Sequence, residues 1–131
     1  MSRNTEVIEG IYDDWGRGDF SRIDWAAADF ELVLADGPTA GSAKGREAAG
    51  RLWGEHLAAF EDFRTLVEEV EVIADDCLLV LTTNTGRGKT SGMEVGQIPT
   101  AGANVIHLQD GKVTKLVAYW DRERAKADLR R

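Results

Sequence analysis

"ANVIHLQDGKVTKLVAYW", residues 103–120, is the stretch that decides the fold. Two apolar, β-branched runs flank Asp110-Gly111, a dipeptide that strongly favours a tight hairpin turn. The spacing allows two registers. A two-residue turn pairs Leu108 with Val113, and therefore Ile106 with Lys115 and Asn104 with Val117. A type I turn with Gly111 in a bulge shifts the parity by one, so that Asn104, Ile106 and Leu108 share a face with Leu116, Ala118 and Trp120. The second register keeps Lys115 off the apolar face and is the one adopted. It predicts Asn104 inside, beside Ala118 and Trp120, with Tyr119 turned outward.

Upstream of the hairpin the chain continues in strands. "CLLVLTTNTGR" (77–87) is β-branched, and "FRTLVEEVEVIA" (63–74) alternates over its second half. Pro99 and Gly102 interrupt the approach to Asn104, which predicts a bulge or a late strand start. The first strand is "FELVLADGP" (30–38), with Phe30, Leu32 and Leu34 on one face and Asp36 next on that face, before Gly37-Pro38. Helices come first. Val7, Ile8, Ile11, Tyr12 and Trp15 form a stripe over 5–16. "GRGD" ends that helix, and "FSRIDWAAA" (20–28) is expected to form a second, shorter one. "TAGSAKG" (39–45) is expected as a loop, and "REAAGRLWGEHLAAF" (46–60) as a helix with Ala49, Leu52, Trp53, His56 and Phe60 on one face. "DRERAKADLRR" closes as a helix capped by Asp121. Helices followed by a run of strands give an α+β class: a cone-shaped, curved antiparallel sheet of five or six strands wrapped around the N-terminal helices. With no repeat and no linker, residues 1–131 are expected as a single domain. The mouth of such a cone is a natural ligand site.

Composition narrows the function. The 131 residues carry a formal charge of −7, with 43% hydrophobic and 30% charged residues. An acidic globular chain repels phosphate backbones and anionic lipid, so neither nucleic acid nor membrane is an expected partner. No apolar run spans a bilayer, no apolar leader opens the sequence, and the lone Cys77 has no internal disulfide partner, which together point to a reducing, cytoplasmic setting. "GRGKTSG" (86–92) ends like a phosphate loop, but Thr83 holds the place of its first glycine, so it is expected as a solvated hairpin loop. His56 and His107 are too few and too scattered for a metal site, and no cofactor motif is present.

Six residues carry two readings each. Asp36 is either a carboxylate aimed into an apolar pocket or a cap on the Gly-Pro turn. Asn104 is either a buried strut or a pocket donor. His56 is either a core histidine or a pocket residue. Trp53 is either core or wall, as are Trp15 and Trp120.

The order "GRGDF", "DFELV", "KGREA", "LWGEHLAAFEDF", "VEEVEVIADD", "DGKV" and "YWDRERA" resembles the SnoaL-like branch of the nuclear-transport-factor-two-like superfamily over about residues 5 to 125. The resemblance implies that superfamily's cystatin-like α+β barrel. It also implies a kinship with polyketide cyclases, ketosteroid isomerase and limonene epoxide hydrolase. Cyclases of this kind use a histidine and an aspartate on the last two strands, positions that fall on Asn104 and Ala118. Ketosteroid isomerase uses an aspartate at the end of the first strand, which looks like Asp36. Its oxyanion donors are a protonated aspartate, replaced here by Asn104, and a first-helix tyrosine whose position falls on Ile11, with Tyr12 directed elsewhere. The acids and arginine of the epoxide hydrolase find no clear counterpart.

The expected function is binding of a hydrophobic small molecule, with isomerase- or cyclase-type proton abstraction next to a carbonyl as the candidate chemistry. A non-catalytic binder and a structural domain with a vestigial pocket are the alternatives. Asp36 and Asn104 are the candidate catalytic residues, and Trp15, Trp53, His56, Ala118 and Trp120 the candidate ligand contacts. No metal and no cofactor is called for. The outward set Val105, Val117 and Tyr119 suggests a homodimer through the outer sheet face.

Overall fold

The computed structural model describes residues 3–36, 40–58, 60–88 and 101–129. Three helices, α1 (Arg3–Gly16), α2 (Arg46–Ala58) and α3 (Arg122–Leu129), accompany six strands: β1 (Ala26–Leu34), β2 (Gly41–Lys44), β3 (Phe60–Ala74), β4 (Cys77–Gly88), β5 (Ala101–Gln109) and β6 (Lys112–Tyr119). The strands form one sheet in the order β2-β1-β6-β5-β4-β3. All neighbours are antiparallel except β1 and β6, which run parallel, so the all-antiparallel expectation is corrected at that pair.

The hairpin combines parts of both expected registers. Gln109 pairs with Lys112 and Leu108 with Val113 across a two-residue turn. Asp110 (φ 53°) and Gly111 (φ 78°) both adopt the positive φ that a type I′ turn requires. The register then shifts, so that His107 faces Lys115, Ile106 faces Leu116 and Asn104 faces Ala118. The bulge therefore falls at Thr114, whose hydroxyl donates to the His107 carbonyl (3.3 Å), and not at Gly111. Lys115 ends on the outer face beside Glu31, 4.0 Å away.

The inner face holds Phe30, Leu32 and Leu34 of β1 with Ile106, Val113 and Leu116, and α1 lays Ile8, Ile11, Tyr12 and Trp15 against it. Full burial of each such side chain contributes about 1.5–3 kcal/mol. The outer face is also covered, because Ala125 and Leu129 of α3 join the cluster of Leu79, Leu81, Val105 and Tyr119. Of the set that suggested a dimer, Val105 and Tyr119 are therefore buried by their own chain, and Val117 is half-buried. Asp121 caps α3 as expected, accepting from the Glu123 N–H (3.0 Å) and the Arg124 N–H (3.4 Å).

Several local expectations fail for tertiary reasons. Residues 20–28 form no helix. Asp19 takes the Ser21 amide (3.0 Å), and Ala26 pairs with Val113, drawing a helix-prone "WAAA" into β1. "GSAK" is not loop but β2, paired against β1 from Glu31–Lys44 to Leu34–Gly41. Phe60 belongs to β3 rather than to the helix before it. β5 begins at Ala101 and pairs through Gly102 without a bulge, and glycine is what fits there, since a Cβ would lie 2.7 Å from the Tyr119 carbonyl oxygen; the approach before Ala101 lies outside the described residues. Pro99 and most of "GRGKTSG" lie outside the described residues.

Candidate functional site

β1, β5 and β6 bring Leu34, Asn104 and Ala118 together at one end of the inner face, and β4 adds Asn84. α2 lowers Trp53 and His56 over them, and Phe63, Thr65 and Trp120 close the sides. The chamber so formed measures about 20 Å³, room for one water or one ligand oxygen. Asp36 stands at its edge, half-buried.

Each polar group there has a definite role. Asp36 Oδ1 accepts the Trp120 N–H (2.6 Å) and its Oδ2 the Asp121 N–H (3.3 Å). The carboxylate thus caps the β6–α3 junction; a cap over Gly37-Pro38 lies outside the described residues. Thr65 Oγ1 donates to Asn84 Oδ1 (3.0 Å), leaving the Asn84 amide nitrogen as a donor. Asn104 Nδ2 donates to the Tyr12 hydroxyl oxygen and keeps a second N–H. Burial raises the Tyr12 pKa above that of free tyrosine. Tyr12 was expected to point elsewhere; instead it is Asn104's partner.

His56 is 4% exposed, and burial lowers its pKa to about 4, so the imidazole is neutral at pH 7. Aromatic rings enclose it: Trp53 at 5.1 Å, Phe63 at 5.4 Å and Trp120 at 5.9 Å between centroids. His56 Nδ1 and Trp53 Nε1 are both buried without a hydrogen-bond partner. Two residues that line one small space thus each carry an orphaned polar atom, of the kind a polar ligand group satisfies.

Six of the seven candidate residues therefore border this chamber: Asp36, Trp53, His56, Asn104, Ala118 and Trp120. Trp15 does not. It stacks on the far side of Trp53 at 5.4 Å. Tyr119 also borders the chamber, while its hydroxyl donates to Asp128 of α3 (2.8 Å), and burial with that carboxylate pushes its pKa up to about 12. The sequence reading missed Tyr12, Asn84 and Thr65. For Asn84 a signal was present, a polar residue alternating with Thr82 on the face that carries Val80. Among the described residues no group of three or more His, Cys, Asp or Glu is arranged to hold a metal ion, and no helix is long and apolar enough to cross a membrane.

Solved structures of this architecture are known. The chain is similar to a putative SnoaL-like polyketide cyclase from Jannaschia sp. CCS1, at 17% identity and TM-score 0.75, over 97% of this chain and 91% of that one. It is similar to TerC co-crystallised with polyporic acid, at 17% identity and TM-score 0.76, over 99% and 100%. A third likeness is to a hypothetical protein of ketosteroid isomerase-like fold from Catenulispora acidiphila DSM 44928, in complex with trimethylamine, at 15% identity and TM-score 0.71, over 87% and 84%. At these identities the likeness concerns the fold. No curated protein matches the chain. Structures of this likeness are described as ketosteroid isomerase-like and NTF2-like, which is the fold this chain shares. The model of the SnoaL-like domain matches residues 8–116, and the chain belongs to that family.

Proposed function

We propose that the chain binds an apolar ring compound by its carbonyl end, with the oxygen in the chamber and the ring against Trp53, Phe63 and Trp120. One observation carries this reading: Asn84, Asn104, His56 and Trp53 line a single small space within an aromatic wall, and His56 Nδ1 and Trp53 Nε1 are buried there without a hydrogen-bond partner inside the chain. Asn104 and Trp53 are the donors to the carbonyl oxygen, and Tyr12 fixes the Asn104 amide. Developing charge on that oxygen is stabilised by such preorganised N–H groups. Asp36, at the chamber edge, is the proton acceptor of an isomerase- or cyclase-type step that needs no cofactor. The bound polyporic acid and trimethylamine of two structural neighbours favour small-molecule binding on this fold.

The non-catalytic binder is the second reading, and a specific contact favours it. Both oxygens of Asp36 already accept backbone N–H groups. The two separate by NMR with 1-tetralone in D₂O. Catalysis gives saturable binding with deuterium uptake at the α-carbon, lost in Asp36→Asn while binding persists. Binding with no uptake above the buffer rate gives the binder. Absence of any binding contradicts both. The homodimer belongs to the same proposal, with the half-buried Val33, Ala35 and Val117 of the outer face as its centre. Sedimentation at micromolar concentration is expected to give a dimer, and a monomer contradicts it.

A further inference from the structure

A larger cavity lies on the other side of Trp53, beneath α2. Trp15, Phe20, Trp25, Phe30 and Trp53 wall a volume of about 360 Å³. We propose that this cavity is a separate binding site for a neutral apolar molecule of about two fused rings, entered between α2 and residues 20–25, with Gly50 and Gly54 forming the open side of its mouth.

The volume admits such a ligand. A dry apolar cavity of about 150 Å³ binds benzene, and this one is more than twice that size. The glycines explain the mouth. Gly50 and Gly54 lie one turn apart on α2, both exposed and both lining the cavity. A Cβ added at either meets no atom within 4 Å, so packing does not demand glycine at these positions. Glycine inside a helix costs roughly 0.5–1 kcal/mol relative to alanine. Both glycines line the cavity and the space around each Cβ is open, so on this proposal a large side chain at either position stands in its mouth.

The charges at the rim specify a neutral guest. Arg22 lies 3.4 Å from Asp14 and 3.6 Å from Asp24. Arg46 donates twice to the Ala26 carbonyl, at 2.9 and 2.7 Å, and Glu47 pairs with Arg51 at 2.9 Å. Arg22 and Glu47 are ion-paired, two N–H groups of Arg46 are already taken by the Ala26 carbonyl, and the net charge of −7 disfavours an anion approaching from solution. The site is distinct from the carbonyl chamber and does not rest on the reading of that chamber. Trp53 borders both spaces, whereas His56, Asn84 and Asn104 do not line this one.

Naphthalene and 2-naphthoate, which share a ring system and differ in charge, test the proposal against the full ¹⁵N-labelled chain at pH 7. Naphthalene is expected to bind saturably and to shift the Gly50 and Gly54 amides and the Trp25 indole N–H, leaving the Asn84 and Asn104 side-chain amides in place. Gly54→Phe and Gly50→Leu should each weaken binding about tenfold or more, equivalent to about 1.4 kcal/mol, with unfolding still cooperative. 2-Naphthoate should bind about tenfold more weakly than naphthalene. Four results would each overturn the proposal: no saturable shift, shifts confined to the Asn84 and Asn104 amides, both variants binding like wild type, or naphthoate binding as tightly as naphthalene.

Discussion

Tyr12 and Asn104 meet across the interior although they are far apart in sequence, and the contact orients a buried amide that borders the chamber. Tyr12→Phe removes the hydroxyl and leaves an Asn104 N–H without that partner. The expected cost is about 1–3 kcal/mol, measurable as a lower urea midpoint at unchanged slope. His56 gives a pH signature. Its folded pKa, about 4, lies below the ordinary value of 6.5, so the unfolded chain binds more protons between those limits. Stability is therefore fully present above about pH 6.5 and falls as pH drops towards 4, by roughly 3 kcal/mol over that window. Chemical denaturation from pH 7 to 4 should show this decline, and His56→Phe should flatten it. At this scale the sequence was half legible. Alternation along β1 and the hairpin parity brought Asp36 and Asn104 to one end of the inner face. The Tyr12 contact was not legible, because one residue along a helix rotates a side chain by about 100°, and spacing from the "GD" turn pointed to Ile11. The amides that hold Asp36 come from a junction that only the parallel β1–β6 pairing brings near.

Within the elements, turn chemistry was readable and tertiary recruitment was not. The Asp110-Gly111 turn follows from its dipeptide, and Gly111 at φ 78° makes a sharp prediction. Gly111→Ala should cost about 1–2 kcal/mol by placing a Cβ in the left-handed region, seen as a lower Tm. Gly50→Ala and Gly54→Ala should do the opposite. With open space around each Cβ, each should raise stability by about 0.5–1 kcal/mol in the same melt. The bulge at Thr114 escaped the sequence reading because either site gives the same parity further along the strands; only the side-chain bond to the His107 carbonyl marks it. "AAA" (26–28) and "GSAK" have helix-prone or small residues and became strand through their partners, Ala26 against Val113 of β6 and "GSAK" against β1.

At the scale of the molecule, a sheet apolar on both faces is covered by α1 and α2 inside and by α3 outside. Arg122 fastens the α3 end of that arrangement, donating to the Glu68 carboxylate (2.9 Å), the Thr82 carbonyl (3.0 Å) and the Gly102 carbonyl (3.3 Å). β3, one of the two edge strands, carries exposed Val70, Val72 and Ile73, and its acids Glu68, Glu69 and Glu71 discourage pairing with another edge. The fold class was legible because element order, hairpin chemistry and inner-face alternation agree. The division of the interior was not, because Trp15 and Trp53 read alike in sequence and only their stacking separates a polar chamber from an apolar cavity.

The central claim is that the chamber receives a carbonyl oxygen. The ¹³C resonance of carbonyl-labelled 1-tetralone reads this directly, since N–H donors move it downfield. Saturation with the wild-type chain should shift it downfield from its position in water, and Asn104→Ala should reduce that shift while the ring still binds. A bound carbonyl resonance that moves upfield, as in an apolar solvent, or one identical in wild type and Asn104→Ala, would contradict the account.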